Sequence, residues 1–307
     1  MKIERSDFVQ LVKQAMQKNT HISHMQPVIE KELLHYDILF CLDQAGLLDT
    51  LVFQGGTSLR LCYGGNRFSE DLDFAGGKDF SSSQLSAMKQ CIEDYIGTRY
   101  DLKVTVKEPE ILKQEPEYAA LKISKWQISI ITFPGRKDLP KQRIKIEVAN
   151  IPAYTRNILP LHHNYDFLPD GYDDTLIYTE TLDEIMADKL ISLPATEKRV
   201  RHRDIWDLVW LQQQGAKLNV DLVKKKVADY KLTDFANLLD KRLQSLPDII
   251  ASDAFIEEMK RFLPNDVFVR TLAKEKFSMY LIATLTELFQ KLQLTYAADH
   301  IQPEFKL

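Results

Sequence analysis

A chain of 307 residues with 45% hydrophobic content is long enough to bury the cores of two modest domains. No apolar run approaches a bilayer span, and the charged start Met1-Lys2-Ile3-Glu4-Arg5 lacks a secretory core, so the expectation is a cytoplasmic protein without membrane contact. The net charge of −4 argues against bulk electrostatic binding of nucleic acid, although a local basic channel stays open because distribution, not sum, sets the field. Cys41, Cys62 and Cys91 are far apart in sequence and without metal-ligand spacing, and read as inert thiols of a reducing compartment.

Residues 1–46 read as two helices. The second is the stronger, with Met25, Ile29, Leu33, Leu34, Ile38 and Leu42 at helical spacing and Gly46 as its C-cap. Leu51-Val52-Phe53 is a first strand running into Gly55-Gly56, after which a helix is expected from Ser58-Leu59-Arg60-Leu61, then a turn at Tyr63-Gly64-Gly65-Asn66. In the strand Glu70-Asp71-Leu72-Asp73-Phe74, period two turns Leu72 and Phe74 inward and sets Asp71 and Asp73 on the opposite face. Like charges so placed repel unless a cation stands between them. Mg²⁺, which takes one or two carboxylates plus phosphate oxygens, suits the pair. The glycines would let backbone N–H donors of Gly56, Thr57 and Ser58 approach a polyphosphate at the helix start.

A break at Gly76-Gly77 is followed by a helix expected over Ser82–Gly97. Strands are expected at Leu102–Lys107, Ile123–Phe133 and Arg143–Ala149, with Leu176-Ile177-Tyr178 closing the sheet. Ile144, Ile146 and Val148 form a core face, so Lys145 and Glu147 share the other, which by itself describes an ordinary solvated edge. From Thr181 the pattern is amphipathic helix with breaks at Gly215, Pro247 and Pro264. The boundary is therefore set at 180, giving domains 1–180 and 181–307. Thr181-Leu-Asp-Glu184 forms a capping box. Lys189 falls inside the apolar stripe that follows, where either its stem packs and its charge escapes to water, or it faces a triphosphate across a cleft. In the second case Lys189→Met leaves the fold intact. Asp204 and Asp207, three apart beside Lys198, Arg199, Arg201 and Arg203, could form a structural ion-pair network. Basic residues also gather at Arg136, Lys137, Lys141, Arg143 and Lys145 and at Lys224-Lys225-Lys226, natural phosphate contacts if the acceptor is RNA.

The stretch FQGGTSLRL…RFSEDLDF resembles the signature of the DNA polymerase beta-like nucleotidyltransferases, and within them the AbiEii/AbiGii toxin group. ADKL followed by RHRDIWDL is similar to that group's later motifs. The resemblance spans Phe53–Leu208. It implies an α+β fold: a polymerase beta-like mixed sheet with flanking helices, followed by a helical C-terminal domain. It makes Asp71, Asp73 and Glu147 the ligands of two Mg²⁺ ions, with Mn²⁺ as a substitute. Lys189 becomes the group's lysine, and Asp207 or Asp204 its later aspartate. Gly55, Gly56, Thr57, Ser58, Arg67 and Ser69 fall at the nucleotide. The implied reaction moves a nucleoside monophosphate from a triphosphate to an acceptor hydroxyl, with a tRNA 3′ end as acceptor, an antitoxin as partner, and growth arrest or phage defence as outcome. The alternatives are an aminoglycoside-type small-molecule nucleotidyltransferase and a non-catalytic nucleotide-binding homologue.

Overall fold

The structure, a computed structural model, describes residues 3–18, 20–22, 24–109, 123–135, 138–168, 171–172, 174–196 and 199–298. Two compact units are present, Met1–Glu180 and Thr181–Leu307.

The first unit is built on a seven-stranded mixed sheet. In chain order its elements are α1 (Phe8–Lys18), α2 (Gln26–Gln44), β1 (Val52–Gln54), α3 (Gly55–Cys62), β2 (Leu72–Ala75), α4 (Met88–Tyr100), β3 (Lys103–Lys107), β4 (Ile123–Ile131), β5 (Gln142–Ala149), β6 (Asn157–Pro160) and β7 (Leu176–Thr179). The strands lie in the order β3-β4-β5-β2-β1-β7-β6. The β2–β5 and β1–β7 pairs are parallel and the other four antiparallel. Alternation decides which face is covered: Val106, Trp126, Ile128, Ile130, Ile144, Ile146, Val148, Leu72 and Phe74 are all buried, and the residues between them are not. Phe53 and Phe74 stack across β1 and β2 with ring centroids 4.9 Å apart.

The expected stripe of α2 is buried as read, but the helix is buried on other sides as well. Glu30, Glu32, His35 and Asp37 are at most 2% exposed, and each has a partner. Glu30 accepts from Thr132 and from Gln142, the first residue of β5 (3.2 and 2.6 Å). Glu32 takes a two-pronged contact from Arg60 on α3 (2.7 and 3.0 Å). Asp37 accepts from the hydroxyls of Tyr100 and Tyr172.

Several boundaries differ from the sequence reading. The helix α3 starts at Gly55, not Ser58, so the glycine pair is its first turn. The helix expected over Ser82–Gly97 is a 3₁₀ turn, Ser82–Leu85, followed by α4; Gly97 lies inside α4, which ends at Asp101 in the left-handed region (φ +53°). The β6 strand was not foreseen. Cys41 and Cys91, fifty residues apart, meet: Cys91 Sγ donates to the Cys41 carbonyl at 3.2 Å.

The second unit is helical: α5 (Leu182–Ala195), α6 (His202–Gln213), α7 (Val220–Asp229), α8 (Phe235–Ala251), α9 (Asp253–Phe262), α10 (Asn265–Arg270) and α11 (Glu275–Ala298). Thr181 caps α5, its side chain accepting from Glu184 N–H (3.4 Å). At the other end Arg242 donates to the carbonyls of Leu193 and Thr196 (3.0 and 2.9 Å), supplying cationic donors where the helix leaves acceptors unpaired. Pro247 does not break the chain: α8 runs through it on an exposed side, whereas Pro264 does separate α9 from α10. Among the described residues no helix is long and apolar enough to cross a membrane.

Candidate active site

Register brings the first-unit residues together. Gln54 on β1 faces Asp73 on β2, Asp73 faces Glu147 on β5, and Glu147 faces Lys125 on β4. Directly paired residues share a face, so four strands present Gln54, Asp73, Glu147 and Lys125 in one row. Glu147 is thus on an interior strand beside the aspartates and not at an edge. Asp71 precedes β2 on the same side, its Oδ1 accepting from Lys145 N–H at 3.3 Å. Asp71, Asp73 and Glu147 are all half-buried, and Lys125 Nζ stands 3.4 Å from Glu147 Oε1.

The glycines explain how Asp73 reaches the helix. Gly55 has φ +78°, and a Cβ there would lie 2.9 Å from Asp73 Oδ2. At Gly56 a Cβ would fall 2.3 Å from an Arg67 guanidinium nitrogen and 3.0 Å from Ser69 Oγ. The pair therefore admits Asp73, Arg67 and Ser69 against the first turn of α3, whose leading amides have no intrahelical acceptor. A carboxylate there meets the positive end of the helix. Thr57 and Ser58 are buried. Thr57 Oγ1 donates to the Asp71 carbonyl and so ties the turn to the aspartate strand, while Ser58 Oγ donates to the Gly55 carbonyl within the turn itself.

The lead-in to Asp71 is pinned by α2, a contribution the sequence reading missed. Lys31 pairs with Glu70 (2.5 Å), and Arg60, held by Glu32, donates to the Gly65 carbonyl (2.9 Å). His35 Nε2 lies 3.0 Å from the Glu70 carbonyl. A carbonyl only accepts, so Nε2 carries the proton. Burial pushes the His35 pKa down to about 4, against the pull of that hydrogen bond and of Glu32. The clue was five polar residues, Glu30, Lys31, Glu32, His35 and Asp37, crowded into the middle of an apolar helix.

In the second unit Lys189 is 4% exposed, and its charge does not escape to water. Its Nζ lies 2.8 Å from Asp204 Oδ1 and 2.6 Å from Asp207 Oδ2. Asp204 also accepts from Ser192 Oγ (2.8 Å) and Arg201 Nε (2.6 Å). Burial opposes its charge, yet Arg201 and Lys189 hold its carboxyl far below the usual range. The snorkelling expectation is thereby corrected. So is the expectation that Lys189→Met leaves the fold intact, because two buried aspartates depend on that ammonium. Lys226 is also not a surface cation: it is 1% exposed and held by Glu184 (2.9 Å) and Asp188 (2.7 Å). Arg136, Lys137 and Lys198 lie outside the described residues.

Whether the open row fits a divalent cation turns on its donors. Three carboxylates supply hard oxygens on one face, and Gln54 Oε1 beside Asp73 is a buried acceptor without a hydrogen-bond partner. Among the described residues, however, no three His, Cys, Asp or Glu side chains stand close enough to enclose a metal by themselves. The set suits an ion such as Mg²⁺ that takes one or two carboxylates and completes its shell with substrate phosphate.

The family described as nucleotidyl transferase AbiEii toxin, type IV TA system, matches residues 37–283, from α2 into α11 and thus beyond the Phe53–Leu208 motifs. No curated protein matches the chain in sequence. Among solved structures, the nucleotidyltransferase toxin MenT4 of Mycobacterium tuberculosis H37Rv is similar in fold, with a TM-score of 0.52 and 18% identity over 94% of this chain and 93% of that one. JHP933 of Helicobacter pylori aligns with a TM-score of 0.47 and 21% identity over 89% of this chain and 95% of that one. With the family match embracing both units, the chain belongs to the AbiEii nucleotidyltransferase toxins of type IV toxin–antitoxin systems.

Proposed function

We propose that this nucleotidyltransferase moves a nucleoside monophosphate from a triphosphate to a hydroxyl of RNA, with a tRNA 3′ end as acceptor, and that its toxicity, countered by an antitoxin, rests on that transfer. The observation that carries the reading is the register of Asp73 against Glu147, with Asp71 two residues before and the α3 glycine turn alongside.

Asp71 and Asp73 would hold Mg²⁺, with Glu147 joining them by letting go of Lys125. When bound, such ions neutralise phosphate charge and acidify the attacking hydroxyl. The chain's own groups do the rest. Leading amides of α3 receive triphosphate oxygens, and Arg67 offsets charge as the phosphates reorganise. The acceptor oxygen attacks the α-phosphorus; a new P–O bond forms as the bond to the β-phosphate oxygen breaks, and pyrophosphate leaves. Positioning and charge stabilisation account for such a transfer without a covalent enzyme intermediate.

Support for a polyanionic acceptor comes from the open face of β3, β4 and β5. Lys107, Gln127 and Lys145 form one row there, and Thr105, Ser129 and Arg143 the next, with Lys103 and Lys125 flanking. Solvent-facing cations interleaved with small polar residues suit phosphates in sequence-independent contact. The test is incubation with each nucleoside triphosphate labelled at its α-phosphate, Mg²⁺ and total RNA. Label on RNA is the expected result. Label on small molecules alone, or no pyrophosphate release with any acceptor, overturns the proposal.

A further inference from the structure

We infer that the helical unit carries a second ligand site, shaped for one nucleoside 5′-phosphate. A cavity of about 390 Å³ is lined by Met186 on α5, Gln212 on α6, Ala216, Lys217 and Leu218 in the following connection, and Glu287, Leu288 and Lys291 on α11. That volume falls in the range of small-molecule pockets, roughly 300–1,000 Å³.

Three features define the occupant. The first is Gln212, whose Oε1 is buried without a hydrogen-bond partner. Buried polar atoms are rarely left so, and the side-chain amide calls for a partner with a complementary N–H or C=O edge. The second is charge. Lys217 and Lys291 are exposed; the Lys217 backbone N–H donates to Asp183 Oδ1 (2.7 Å), but among the described residues neither side-chain ammonium is paired with a carboxylate, so two ammonium groups are available to an anion. The third is the apolar lining of Met186, Leu218 and Leu288, which suits a flat body more than a bare ion. A nucleobase read by an amide, with a phosphate on two lysines and Glu287 accepting from a ribose hydroxyl, meets all three demands. Water alone answers only the first.

This site rests on no residue of the carboxylate row, and its test is kept separate from that chemistry. The full-length chain is titrated calorimetrically in EDTA with AMP, CMP, GMP, UMP and inorganic phosphate, so that no metal draws phosphate to Asp71 and Asp73. At least one nucleotide is expected to bind with clear preference over phosphate. Gln212→Leu and Lys217→Glu/Lys291→Glu should each weaken binding about tenfold or more, the size of one lost hydrogen bond or charge contact. Asp73→Ala should leave it unchanged. Thermal melts verify that each variant is folded, and Gln212→Leu should melt no lower than wild type because it removes the unpaired acceptor. Competition by a short oligoribonucleotide identifies the ligand as a nucleotide of an RNA strand; failure to compete identifies it as a free nucleotide. Absence of binding, equal binding of bare phosphate, persistence in both cavity variants, or loss in Asp73→Ala overturns the inference.

Discussion

Asp71, Asp73 and Glu147 stand half-exposed on a sheet face, where Asp71 and Glu147 make contacts of 3.3 and 3.4 Å. Lys189, Asp204 and Asp207 are at most 4% exposed and meet at 2.6–2.8 Å, with Arg201 adding a second positive charge beside Asp204. Both are clusters of charge, yet they are wired oppositely. Long contacts at a wet surface contribute little and break easily, so the first set can exchange partners when ion and nucleotide arrive. Short contacts in a dry interior cannot be exchanged without a large penalty. Openness, more than the number of charged residues, separates the groups suited to chemistry from those that hold a frame.

The largest expected effect attacks the open side of that contrast. Asp73→Ala removes a carboxylate from a face that does not need it for packing, and should lower transfer by about a thousandfold or more, the order lost with a group that stabilises transition-state charge. Its melting temperature should fall only slightly, by what a lost carboxylate at a helix start contributes, about 0.3–1 kcal/mol. Normal transfer by the variant would remove the row from the mechanism.

On the closed side, Lys189→Met should destabilise the chain by about 3 kcal/mol in urea titration, since it removes the ammonium shared by two buried aspartates, of which Asp204 keeps Arg201 and Ser192. Adding Asp204→Asn and Asp207→Asn should recover much of the loss. A stable single variant would mean that the cluster is looser than its distances imply. If the triple variant folds but fails to transfer, Lys189 or Asp207 has a part in the reaction besides its part in the fold.

Gly55→Ala probes the joint between glycine turn and carboxylate. A side chain at φ +78° costs about 1–2 kcal/mol, and the new Cβ would press on Asp73 Oδ2. A modest stability loss with a fall in kcat larger than any change in KM is expected. An unaltered kcat would separate Asp73 from the helix start.

What the sequence disclosed followed its local periods. Alternation through Leu72–Phe74 and Ile144–Val148 identified which carboxylates leave the core, because period two needs no knowledge of neighbours. Thr181 and Glu184 marked a helix start for the same local reason. Pairings between distant segments were not legible in these local periods; only the family resemblance set Glu147 with the aspartates, as the register then does. Nothing near Glu147 announces that it sits beside Asp73, and nothing near Lys189 announces Asp204 and Asp207. Lys226 reads in sequence as part of a surface run, although Glu184 and Asp188 enclose it, and Cys41 carries no local sign of Cys91. The β6 strand, four residues ending in proline, has too short a pattern to stand out.

The smallest effect concerns pH and asks whether buried charges in the first unit behave like the Lys189 cluster. Burial lowers His35 from 6.5 to about 4, so between those values the unfolded chain binds more protons and stability rises with pH. Burial raises Asp37 from 3.8 to about 6, despite Arg99 and two tyrosine hydroxyls, so across that window the folded chain binds more protons and stability falls with pH. The two slopes oppose one another between about pH 4 and 6, and only the His35 slope continues to 6.5. Urea titrations of wild type should therefore show little contribution from this pair below about pH 6. His35→Gln, which keeps a donor for the Glu70 carbonyl, should uncover a loss of stability as pH rises from about 4 to 6. Asp37→Asn should uncover a gain over the His35 window. Identical profiles in all three proteins would mean that neither group changes protonation on folding, and that α2 positions Glu70 and β5 by hydrogen bonding alone.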